Sequence, residues 1–227
     1  MMTDATSQID SPLHLVNAEI AAACKLAARK PGDVQLIAVS KTRSADEIRP
    51  LLKSGHRIFG ENRVQEAATK WSALKADFPD VKLHLIGQLQ SNKANEAVAL
   101  FDMIHSLDRM SLVTALGKAM RDSGRSIPCF IQVNIGDERQ KGGCAIAEVS
   151  ALLDAGREAG IPIAGLMCIP PDAQEPAPYF ALLAELAARH GLTGLSMGMS
   201  SDFSTAIMLG ATYVRVGTAL FGARLGA

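Results

Sequence analysis

Short apolar runs alternate along the chain with longer segments whose apolar positions recur at helical spacing. The runs lie at 35–40, 57–60, 82–87, 103–106, 128–134, 163–169, 194–197 and 213–216, and each reads as a buried strand. The intervening segments at 44–54, 63–78, 91–100, 109–122, 145–159, 176–190 and 202–209 read as helices, and Gly55, Gly160, Gly191 and Gly210 stand where helices stop. An Ala-rich helix at 13–29 precedes them, with Ser11 as its cap and Pro12 in its first turn. Residues 1–10 are polar and read as a flexible leader, leaving 11–227 as a single domain.

Strict strand–helix alternation predicts parallel pairing with helical crossovers. Eight strands, each but the last followed by a helix, predict an α/β fold: a single (β/α)8 TIM barrel with an extra N-terminal helix. A doubly wound open sheet is the alternative, but the turn after the first strand lacks the expected GxGxxG.

Composition narrows the function classes. Lys plus Arg and Asp plus Glu both number 23, so no general electrostatic attraction to nucleic acid or membrane is expected. Aromatics are only 4%, which disfavours a base-stacking platform. Cys24, Cys129, Cys144 and Cys168 form neither a CxxC pair nor a metal spacing, so no metal site is expected and the thiols read as reduced. The N-terminus has no signal-peptide h-region and no apolar run spans a bilayer, which predicts a cytoplasmic protein.

In a barrel of this kind, function sits at the C-terminal ends of the strands. Lys41 closes the first apolar run, where desolvation favours the neutral amine that Schiff-base formation needs. Taken alone it reads more readily as a surface lysine snorkelling at a strand end than as a reactive amine. The stretch from Ser196 through Ser200 to Asp202 leads from the seventh strand into a helix, and Gly217 and Thr218 follow the eighth. Together they suggest a phosphate cradle, although each alone fits ordinary capping. Arg215 inside the last strand needs an acceptor, either a ligand atom such as a pyridine nitrogen or a helix carboxylate outside the barrel. Asn62 ends the second strand and faces a ligand ring in this reading, whereas Glu61 is a structural acceptor or weak base. His84 reads as a core histidine, and Asp108 as a helix cap.

Seven segments carry a resemblance: AVSKT (38–42), FGENRVQE (59–66), HLIGQLQSNK (84–93), QVN (132–134), GLMCIP (165–170), LSMGMS (195–200) and VRVGTALFGAR (214–224). In this order they resemble the pyridoxal phosphate homeostasis proteins, relatives of the alanine racemase N-terminal barrel. The resemblance implies pyridoxal 5′-phosphate (PLP) held as an aldimine on Lys41, with phosphate contacts from Ser200, Gly217 and Thr218. It also implies an Arg215 contact to the pyridine nitrogen. The loop at 136–142 departs from the family's usual start, which puts that loop's contact in doubt.

Two functions follow. The first is a cofactor carrier, not an enzyme, that buffers PLP or delivers it by transient contact with PLP-dependent apo-enzymes. The alternative is a weak amino-acid racemase. The chain ends soon after the last barrel segment, with only Tyr179 and Tyr213 as tyrosines, so it lacks the second domain and opposing tyrosine that racemisation implies. The carrier and a monomeric state are therefore expected.

Overall fold

A computed structural model describes residues 11–222, so the expected leader at 1–10 lies outside the described residues. Helix α1 (Pro12–Leu26) comes first. It is followed by β1 (Gln35–Val39), α2 (Ala45–Lys53), β2 (Ile58–Glu61), α3 (Val64–Asp77), β3 (Lys82–Leu85) and α4 (Ala94–Leu100). Then come β4 (Met103–Leu107), α5 (Met110–Ser123), β5 (Cys129–Val133), α6 (Val149–Glu158), β6 (Ile163–Cys168) and α7 (Ala177–Arg189). The last elements are β7 (Gly194–Met199), α8 (Phe203–Met208), β8 (Tyr213–Val216) and a short α9 (Thr218–Phe221). The strands pair in chain order and β1 also pairs in parallel with β8, which closes the barrel.

Local chemistry sets the helix ends. The Ser11 hydroxyl accepts from the His14 amide at 3.2 Å, so the anticipated cap of α1 forms. Ser44 and Glu47 make a reciprocal capping box on α2. The helices expected at 91–100 and 145–159 begin instead as 3-10 turns, Ser91–Lys93 and Ile146–Glu148. Asp108 does not cap α5; it pairs with Arg109 at 2.6 Å. One helix was not anticipated: α9 turns immediately after β8. It is too short to cover the outer face of the barrel, and α1 packs against both α8 and α9 in that sector. Arg29 of the following turn fastens the arrangement by donating to the Ile207 carbonyl at 2.9 Å.

Buried residues fall into two layers. Most of the apolar core lies between sheet and helices, where Phe59 of β2 packs on Trp71 of α3 with ring centroids 5.0 Å apart. The barrel interior is filled from the opposite strand faces. There His84, His105, Phe130 and Tyr213, from β3, β4, β5 and β8, meet ring to ring. Gly60 belongs to this face, since a Cβ there would lie 2.7 Å from the Ile37 side chain. All four cysteines are free and buried, and desolvation pushes the Cys129 and Cys168 thiols up to about 12, so neither is a nucleophile.

Candidate functional site

Alternation along β1 decides where Lys41 goes. Ser40 points outward, where its hydroxyl donates to Glu61 Oε1 at 2.6 Å. Lys41 therefore points inward, at the C-terminal end of the strand. It helps line a cavity of about 560 Å³ with Val39, Asn62, Ile86, Ile169, Met199, Ser200, Ser201, Arg215, Gly217 and Thr218. Lys41, Asn62, Ser200, Arg215, Gly217 and Thr218, six of the seven residues expected around a ligand, meet here. Four apolar neighbours, Val39, Ile86, Ile169 and Met199, also line it and went unnoticed, because an apolar residue at a strand end looks like core.

The seventh, Ser196, is not in that lining. It lies deeper in the barrel and is fully buried. Its hydroxyl accepts from Arg215 Nη1 at 2.8 Å and lies 2.8 Å from His105 Nδ1. The Arg215 ambiguity is resolved inward: the side chain is 4% exposed, and Nη2 donates to the Cys168 carbonyl at 2.9 Å. Its partners are neutral oxygens, so its charge is directed at the cavity uncompensated by a bonded carboxylate.

The turn carrying Lys41 is strained and clamped. Thr42 adopts φ +63°, a left-handed conformation that β-branched residues avoid. The Thr42 amide donates to Glu66 Oε1 at 2.5 Å. Lys70, one turn along α3, donates to the Ser40 carbonyl at 2.7 Å and the Arg43 carbonyl at 3.1 Å. Lys70 also pairs with the fully buried Glu61 at 2.9 Å, and Trp71 Nε1 donates to the same carboxylate oxygen at 3.0 Å. Glu61 is thus the structural acceptor of the two roles considered for it. The spacing of Glu66 and Lys70 on α3 suggests only an i,i+4 pair; their grip on the β1 turn is not visible in it.

The wall beside Lys41 comes from the loops after β7 and β8, since β8 pairs directly with β1. Gly198 takes φ +93°, and a Cβ there would fall 2.6 Å from the Ala206 Cβ. This conformation lets β7 turn at once into α8 and brings Ser200 and Ser201 to the rim. Ser200 Oγ accepts from the Gly217 amide at 3.3 Å, which ties the two loops together. Hydroxyls of Ser200, Ser201 and Thr218 and the amide of Thr218, in the first turn of α9, supply donors that suit an anion. An amine, a guanidinium and a hydroxyl-rich wall around an apolar floor can take up a planar aldehyde bearing an anionic group.

The profile of the family "Alanine racemase, N-terminal domain" matches residues 17–225. The pyridoxal phosphate homeostasis protein of Pseudomonas aeruginosa is 42% identical over 224 residues, covering 96% of each chain. This chain belongs to the pyridoxal phosphate homeostasis protein family. The structure of PipY from Synechococcus elongatus with PLP bound is similar at TM-score 0.79 and 42% identity, covering 89% of this chain and 100% of that one. Alanine racemase of Streptomyces coelicolor, at 22% identity and TM-score 0.66, shares the barrel fold over 93% of this chain and 59% of its own. The resemblance carried by the seven sequence segments and the predicted barrel both hold.

Proposed function

We propose that this protein binds pyridoxal 5′-phosphate in the upper cavity, covalently on Lys41, and buffers or delivers it in PLP homeostasis. The observation that carries the reading is the convergence of Lys41, Arg215 and the Ser200–Thr218 wall on one cavity. The family membership and the PLP-bound PipY structure support it. When bound, the cofactor supplies an aldehyde that condenses with primary amines and a ring that withdraws electrons.

The chain's own groups divide the work. Lys41 provides the amine, presented inward by the clamped turn. Ser200, Gly217 and Thr218 hold the phosphate, and Asn62 faces the ring from the end of β2. Arg215 meets the ring nitrogen. A guanidinium stays protonated and can only donate, so it keeps that nitrogen unprotonated and weakens the ring as an electron sink. That suits storage better than carbanion chemistry. Ser196 serves from beneath as the acceptor that holds Arg215. Delivery is by transient contact of a monomer with apo-enzymes. Among the described residues no helix is long and apolar enough to cross a membrane, in keeping with a soluble carrier.

Borohydride reduction of the PLP-loaded protein, followed by peptide mass spectrometry, tests the reading. A pyridoxyl adduct on the Lys41 peptide is expected. An adduct confined to other lysines, or none at all, would overturn it.

A further inference from the structure

Beneath the upper cavity, side chains from four strands form one hydrogen-bonded chain through the barrel. It runs from Arg215 Nη1 to Ser196 Oγ at 2.8 Å, on to His105 Nδ1 at 2.8 Å, and from His105 Nε2 to His84 Nδ1 at 3.1 Å. Holding the cofactor makes no direct use of the two imidazoles. Burying them has a desolvation cost that an apolar pair of similar volume would avoid. Their neighbours Phe130 and Tyr213 pack on them as rings.

The donor inventory sets the direction of the chain. Arg215 can only donate, so Ser196 Oγ accepts from it. The single hydroxyl proton of Ser196 then goes to His105 Nδ1. With Nδ1 protonated instead, that proton would be stranded in a fully buried site. His105 therefore carries its proton on Nε2 and donates to His84 Nδ1. His84 in turn presents Nε2–H to a second cavity of about 400 Å³ at the opposite end of the barrel, which Lys82, Asp102, Arg125 and Tyr213 also line. In this arrangement each link of the chain has one donor and one acceptor.

We propose that His105, backed by His84, is a positioning residue for Arg215: the imidazole pair orients the Ser196 hydroxyl as an acceptor toward the guanidinium and so fixes the N–H donors that Arg215 presents to the upper cavity. Ser196 holds Nη1 and the Cys168 carbonyl holds Nη2, and two anchors stop the guanidinium plane from turning. Because the chain is neutral, it fixes the group without offsetting its charge, as a carboxylate partner would. The effect on cofactor rests on the proposed contact between Arg215 and the ring nitrogen; the fixing of Arg215 does not.

The test is NMR of the full chain labelled with 15N-arginine, before and after loading with PLP. The wild type should show separate, slowly exchanging Arg215 Nη–H signals. In His105→Leu they should merge or exchange at least about tenfold faster, since a hydrogen bond to a charged group is lost. His105→Asn, which offers an oxygen near the Nδ1 position, should restore them. His105→Gln keeps the side chain polar without that acceptor and should behave like Leu, which guards against a misfolded Leu variant. Unchanged Arg215 signals in folded Leu and Gln variants would overturn the proposal, as would failure of Asn to differ from them. In the loaded protein, the Leu and Gln variants should shift the visible absorption maximum and release PLP faster. If the Arg215 signals collapse while spectrum and release stay put, positioning stands and the Arg215–ring contact fails.

Discussion

Lys41 depends on residues that never touch the cavity. Its turn has a left-handed Thr42, held by Glu66, and two carbonyls held by Lys70. Lys70 is also the cation of a buried pair, with its own side chain 10% exposed and Glu61 fully buried. Removing one partner of such a pair leaves a buried charge uncompensated. Lys70→Met should therefore cost about 3–5 kcal/mol of folding stability, measured by chemical denaturation, and the double variant Glu61→Leu/Lys70→Met should recover much of it. A single-variant loss below about 1 kcal/mol would mean the pair is solvated and the clamp unimportant. At this scale the sequence was only partly legible. Lys41 is visible as a lysine ending an apolar run, but the residues that aim it come from α3, and helix spacing does not say which strand turn a helix overlies.

At the scale of elements, the anion wall is two loops joined by one hydrogen bond, from the Gly217 amide to Ser200 Oγ. Ser200→Ala/Thr218→Ala should raise the rate of PLP loss on dialysis by on the order of tenfold or more, taking about 1 kcal/mol for each hydrogen bond removed. Equal retention in wild type and variant would place the phosphate elsewhere. Gly198→Ala tests the turn itself. Its φ of +93° and the 2.6 Å approach to Ala206 leave no room for a methyl group. We expect a loss of about 1–3 kcal/mol together with weakened PLP retention; unchanged melting and retention would show that the turn can relax. The strand–helix order and the glycine stops were legible because periodicity is local. The helix α9 was not: Thr218–Phe221 is shorter than a helical period test can detect, and it forms where β8 ends against α1.

For the molecule as a whole, the buried histidines set the response to acid. Desolvation, with Lys82 adding to it and Asp102 opposing it, lowers His84 to about 4. Desolvation, His84 and Arg215 hold His105 well below the usual imidazole range, and burial also lowers His56. In the unfolded chain each imidazole takes up a proton near pH 6.5, roughly its ordinary value. Between that pH and the folded pKa the unfolded state binds more protons, so stability is full above about pH 6.5 and falls as acid approaches pH 4. The slope reaches ~1.4 kcal/mol per pH unit for each imidazole. Denaturation midpoints at about pH 7 and about pH 5 should differ, by less in His84→Gln, and a flat profile in the wild type would contradict the buried neutral pair. The same interior bears on catalysis. Lys41 and Arg215 are the only titratable groups among the described residues lining the upper cavity, and arginine does not act as a base. The PLP-loaded protein should therefore racemise L-alanine negligibly, and measured turnover that disappears in Lys41→Ala would restore the enzymatic reading.

The sequence by itself determined the eight-strand alternation, the barrel class, the family, and which residues stand at strand ends. Each of these is written in short-range periodicity or in contiguous motifs. The direction each strand-end side chain faces, and what it meets there, was decided only by closure of the barrel. Closure brings β8 beside β1, so Arg215 shares a cavity with Lys41, from which it is far away along the chain. It turns His84, which read as a core histidine, into one link of a chain joined to His105, Ser196 and Arg215. It also places Ser196 beneath the lining of the upper cavity, because β7 runs on to Met199 and Ser196 pairs level with Tyr213, the first residue of β8.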